Sequence, residues 1–170
     1  MKEISKALAG SAKKNGICEE WFDRLAGCDD SEIDRMMIMY VKGIDFCMKN
    51  DWPNLDTVRN VFKGRMEHHG VHCDEDCKIC NCRFNVLLGR CRADISFDQY
   101  EVGEIYIRHD SMAKIAVSGN AIVRVDVYDS TRVEINATGN AKVSIKNHGN
   151  ADVRINRSGA SVVKLDNKII

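Results

Sequence analysis

Residues 68–82 read His68-His-Gly-Val-His-Cys-Asp-Glu-Asp-Cys-Lys-Ile-Cys-Asn-Cys82, and they gather four cysteines and three histidines in one short stretch. Thiolate and imidazole are the ligands of structural zinc, and Cys77-x-x-Cys80 has the spacing of half such a site. Cys73, Cys82, His68, His69 and His72 are available to complete it. A tetrahedral ion would pin the residues on either side of the cluster. A second spaced pair is missing, however, because Cys73-x3-Cys77 and Cys80-x-Cys82 are irregular. The primary reading is therefore free thiols on a loop and no cofactor. Zinc on Cys73, Cys77, Cys80, Cys82, His68 and His72 is the alternative. A thioredoxin-like role for Cys77 and Cys80 lacks its βαβ setting.

His109-Asp110-Ser111 contains the three letters of a hydrolase triad. Neighbours on an extended chain point to alternate sides and cannot line up as nucleophile, base and orienter. The chain also lacks a phosphate-binding loop and a dinucleotide fingerprint. No enzymatic activity is expected from these residues.

The 170 residues balance 25 Lys and Arg against 25 Asp and Glu. Zero net charge argues against a nucleic-acid partner, whose phosphates call for clustered Lys and Arg. With 44% hydrophobic and 29% charged residues, the chain has the composition of a folded globule. No apolar run reaches the roughly eighteen residues of a membrane span. The first fifteen residues are too polar for a signal-peptide core, so the expected location is the cytoplasm. There, cysteines remain thiols or metal ligands.

Two vocabularies divide the chain. Five of the seven Met and both Trp lie early, whereas Val, Ile, Asn and Gly dominate after about position 90. The expected organisation is a helical domain over residues 1–70, a Cys/His-rich junction over 71–90 and a repeat domain over 91–170. A first helix carries Ile4, Ala7 and Leu8 and stops near Gly16. A second, Glu19–Ala26, is expected to bury Trp21, Phe22 and Leu25. Ser31 and Asp34 resemble a capping box for a third helix. Its stripe is Ile33, Met36, Met37, Tyr40, Val41, Ile44 and Met48. After Pro53, a fourth helix over residues 55–68 presents Leu55, Val58, Val61, Phe62 and Met66, and Gly70 ends it. Cys18, Cys28 and Cys47 fall in these helical stretches and are expected to be packed thiols.

Written in tens, the C-terminal part repeats. The third position is Val123, Val133, Val143, Val153 and Val163, and the fifth is Val125, Ile135, Ile145, Ile155 and Leu165. The first is small, and the ninth is Gly119, Gly139, Gly149 and Gly159. Upstream, the register can be followed to Cys91, Ala93, Ile95 and Phe97. Each unit is a short strand closed by a turn. Two-residue hairpins would turn alternate strands inside out, because paired positions across them have opposite parity. A β-solenoid has no such conflict. The expected fold is thus α+β: a small helical domain followed by a β-solenoid of about ten-residue repeats, roughly two per coil and about four coils. Its outward positions mix signs, and its seventh position turns polar at Asn147 and Arg157. Solenoid ends need a cap or a partner, and Ile169 and Ile170 suggest a contact there.

Glu104-Ile-Tyr-Ile-Arg-His-Asp-Ser111 with the following Gly-Asn-Ala repeats, and Tyr40-Val-Lys-Gly-Ile-Asp-Phe-Cys-Met-Lys-Asn-Asp-Trp-Pro53, resemble a group of uncharacterised proteins encoded in phage and prophage genomes. The resemblance implies an accessory or structural role and no particular activity. The functional expectation is a non-catalytic interaction or assembly module. It would bind a protein partner or another copy of itself through the solenoid end or edge, without nucleic acid or membrane. The alternative is a zinc-stabilised regulatory or nucleic-acid-associated adaptor centred on residues 68–82.

Overall fold

The computed structural model describes residues 3–167. The chain forms two compact units, Met1–His69 and Gly70–Ile170.

The first unit is helical. In α1 (Glu3–Lys14), Leu8, Ala9 and Ala12 are buried. The helix start is capped from a distance: the Asp30 carboxylate accepts hydrogen bonds from the backbone N–H groups of Glu3, Ile4 and Ser5 at 3.0, 3.0 and 3.1 Å. Partial burial pushes the Asp30 carboxyl up, but the bonds from Ser5, Ile4 and Glu3 outweigh it and hold the group below its ordinary range. In α2 (Glu19–Ala26), only Leu25 is fully buried. Trp21 and Phe22 stay half-exposed, with Arg24 and Lys13 lying over their rings.

The expected third helix is two. α3 (Ile33–Lys42) and α4 (Ile44–Asn50) meet at Gly43, whose backbone leaves the helical region, as glycine does at little cost. The apolar stripe survives the break, with Ile33, Met36, Met37, Tyr40, Ile44, Cys47 and Met48 buried. The cap also differs from the expected Ser31–Asp34 pair. Glu32 reaches back to the Asp29 N–H at 2.7 Å, and Asp29 accepts from the Ser31 N–H at 3.1 Å. Asp34 is thereby left for other partners. The fourth helix is shorter and irregular: α5 (Leu55–Thr57) runs into a π-helical turn (Val58–Phe62), and Gly64, at φ 85°, stops it. A 3-10 turn (Glu67–His69) closes the unit.

The second unit is a parallel β-solenoid. Its strands are β1 (Val71–Cys73), β2 (Asp76–Cys80), β3 (Phe84–Leu88), β4 (Arg92–Phe97), β5 (Val102–Ile107), β6 (Met112–Val117), β7 (Ile122–Val127), β8 (Arg132–Ala137), β9 (Lys142–Asn147), β10 (Asp152–Arg157) and β11 (Val162–Asn167). Odd strands form one six-stranded sheet in the order β1-β3-β5-β7-β9-β11, and even strands a five-stranded sheet in the order β10-β8-β6-β4-β2. Every pairing is parallel, as in Val123↔Val143 and Ile115↔Ile135. Two ten-residue units therefore make one coil. The solenoid reaches further upstream than expected, since residues 71–90 carry β1, β2 and β3 rather than a junction.

The interior follows from parity. Third- and fifth-position side chains from both sheets meet in one dry column, with Ile95, Ile105, Ile115, Val125, Ile135 and Ile145 all at most 2% exposed. Size is complementary along it: Gly103 leaves the space that the Phe97 ring fills. Corners stack as well. Gly139 has φ 65°, and a Cβ there would lie 3.1 Å from the Gly119 carbonyl oxygen of the coil before. Asn140 donates to Asn120 one coil away at 3.2 Å. At the seventh position Phe97, Val117 and Ala137 give way to Arg157 in one sheet, and Ile107 and Val127 to Asn147 and Asn167 in the other.

Candidate functional site

The cysteine–histidine stretch does not converge. Its first reason is the strand itself. Side chains alternate along β2, so Cys77 points into the solenoid beside Ala93 while Cys80 points out beside Ser96. A Cys-x-x-Cys pair placed on opposite faces cannot share an ion. Cys73 is buried on β1, Cys82 is exposed after β2, and His72 pairs with Glu75. His68 lies in the other unit. The thiols thus sit mainly on strands rather than on a loop. Burial, with Cys91 next in effect, pushes the Cys77 thiol up to about 11, which suits a packing group and not a nucleophile. Cys28 and Cys47 are buried as expected, whereas Cys18 is exposed just before α2.

A different set of ligands does converge. His68 Nε2 lies 2.9 Å from Asp34 Oδ1, and His69 Nε2 lies 3.2 Å from the same oxygen. The two imidazole centroids are 4.0 Å apart. This is the one group of three ligating side chains among the described residues. Two elements create it. Asp34 stands in the first turn of α3, free of capping duty, and the 3-10 turn turns two consecutive side chains toward it. That turn is held by Glu67, which accepts from the N–H groups of Gly64 at 2.8 Å and Met66 at 3.1 Å. Hydrogen bonds from His69 and then His68 hold the Asp34 carboxyl below its usual range.

On the solenoid, His109, Asp110 and Ser111 occupy a corner and form no triad. The Gly89 N–H donates to His109 Nδ1 at 3.1 Å, and the Ser111 hydroxyl donates to the Gly89 carbonyl at 3.2 Å, so both stitch adjacent coils. A denser polar cluster lies on the odd-strand sheet. Asp126, 2% exposed, meets His148 Nε2 and Arg124 Nε at 2.7 Å each. His148 stacks on Tyr128 at 4.4 Å, and Arg108 lies over the other ring. The pairing holds the His148 Nε2 edge against the Asp126 carboxylate, and the stacking covers a face of its ring.

The outer face of the even-strand sheet carries an ordered charge pattern. The register aligns Lys78, Asp94, Lys114, Glu134 and Arg154, whose signs alternate strand by strand. An open groove of 650 Å³ runs beside them. The last coil is different again. Ile155 and Leu165 are 36% and 39% exposed, although their counterparts Ile135 and Ile145 are fully buried. Val153 and Val163 are half-exposed. Ile169 and Ile170, expected to make a contact at this end, lie outside the described residues.

Among the described residues, no helix is long and apolar enough to cross a membrane. Comparison with family models, with curated proteins and with solved structures finds no match in any of the three.

Proposed function

We propose that the protein is a non-catalytic assembly module that pairs with a second copy of itself, end to end, through the last coil of its solenoid. The exposure of Ile155 and Leu165 carries the reading, since these residue positions are dry in every other complete coil. β10 and β11 also present unpaired backbone N–H and C=O groups along their outer edges, as the last members of their sheets. A second copy offers what a further coil would offer: branched apolar side chains in the same columns and two strand edges. A two-fold axis makes the contact self-complementary and closed. Arg157 at one corner and Asn167 at the other confine the apolar area to the middle of the coil. That pattern supports one specific pairing over open-ended strand addition. The polar corner residues are engaged in coil-to-coil hydrogen bonds, which supports a scaffold rather than an active site.

Light scattering on the whole chain at tens of micromolar tests the reading. A dimer mass is expected for the native chain and a monomer mass for Leu165→Lys, with unchanged far-ultraviolet circular dichroism. A native monomer, or a dimer that Leu165→Lys and Ile155→Lys leave intact, overturns it.

A further inference from the structure

We infer that Asp34, His68 and His69 form a binding site for one divalent transition-metal ion of the zinc class, in the helical unit and independent of the solenoid contact. The donor set selects the metal. Two imidazoles and one carboxylate suit zinc and its neighbours, whereas calcium and magnesium require all-oxygen shells and cuprous ion prefers sulfur. The spacing fits as it stands. Ligands bonded at 2.0–2.1 Å to one ion are separated by about 2.9 Å at octahedral and about 3.4 Å at tetrahedral angles. The two nitrogen–oxygen distances, 2.9 and 3.2 Å, fall in that interval. All three ligand atoms lie within 4.8 Å of one another.

The site is also preorganised. Adjacent side chains ordinarily diverge, and here the 3-10 turn, anchored by Glu67, holds both rings against one carboxylate oxygen. An ion taken up between them replaces two hydrogen bonds with three coordinate bonds. Each imidazole coordinates through an Nε2 that carries no proton. His68 and Asp34 are 60% and 73% exposed, which leaves the remaining coordination positions open to water. Glu32 and Glu67 do not complete the shell, being held by the Asp29 N–H and by Gly64 and Met66.

The test is titration of the whole, metal-free chain with zinc by calorimetry and with cobalt(II) by absorption. One ion per chain is expected, with ligand-field bands and no sulfur-to-metal charge transfer. Asp34→Asn and His68→Gln, both at exposed positions, should each weaken binding at least tenfold while the circular dichroism is unchanged. The double variant Cys80→Ser, Cys82→Ser should bind as the native chain does. Absence of stoichiometric binding, a thiolate charge-transfer band, or unaltered affinity in His68→Gln overturns the inference.

Discussion

At the scale of single residues, the solenoid tolerates size only where the opposite side chain allows it. Gly103 faces the Phe97 ring, and a methyl group there would overlap ring atoms that are themselves 1% exposed and cannot retreat. Gly103→Ala should therefore destabilise the chain by about 1–3 kcal/mol, measured as a shift of the denaturant midpoint. Cys77 makes the same point electrostatically. Its folded value of about 11 stands above the ordinary 9.0, so the stability gained from a neutral thiol is complete below pH 9 and is lost as pH rises through 11. Unfolding midpoints of the solenoid should fall between pH 9 and 11, and iodoacetamide at pH 8 should label Cys80 and Cys82 well before Cys77. The clustering of these thiols is legible in the sequence because spacing is. Their separation is not, because the face of a strand depends on where that strand begins. Asp34 reads in the sequence as half of a capping box and not as a ligand, since nothing local ties it to histidines 34 and 35 positions later.

At the scale of elements, alternation decides tolerance. Val143 and Ile145 are buried and Lys142 is exposed. Val143→Asp or Ile145→Asp should cost several kcal/mol for an unpaired buried carboxylate, while Lys142→Asp should leave the melting temperature nearly unchanged. Equal damage would contradict the inward–outward alternation. In the helical unit, Asp30 caps α1 from another segment, so Asp30→Ala should lower that unit's thermal midpoint. Its depressed carboxyl also predicts loss of this contribution as pH falls below the ordinary carboxylate range. The strands from β4 onward were legible because the columns of Val and Ile recur at a fixed period. β1 and β2 are hidden in the sequence because they pair with residues only fifteen and sixteen positions ahead, as in Val71↔Val86 and Asp76↔Arg92, instead of twenty. The split of α3 from α4 was equally hidden, since the apolar stripe runs through Gly43 without interruption.

At the scale of the whole molecule, stability in a solenoid is close to a sum over coils and their neighbours. Ile135 has a coil on each side and Ile155 does not. Ile135→Ala should accordingly cost about 2–5 kcal/mol, and Ile155→Ala distinctly less in the isolated monomer. If the chain pairs through its last coil, the two costs should draw together as protein concentration rises. The two-part α+β architecture was readable from composition and period. The open end was only partly so, through the polar seventh position, because exposure depends on what stacks above a coil.

The strict sign reversal along Lys78, Asp94, Lys114, Glu134 and Arg154 constrains how this solenoid can grow. Neighbouring strands stand about 4.8 Å apart, so duplicating a single twenty-residue coil would set two like charges side by side. Duplicating two consecutive coils would preserve the sequence of opposites throughout. A lengthened variant with forty inserted residues should therefore fold more stably than one with twenty, despite its greater size. Charge alternation thus favours lengthening by pairs of coils.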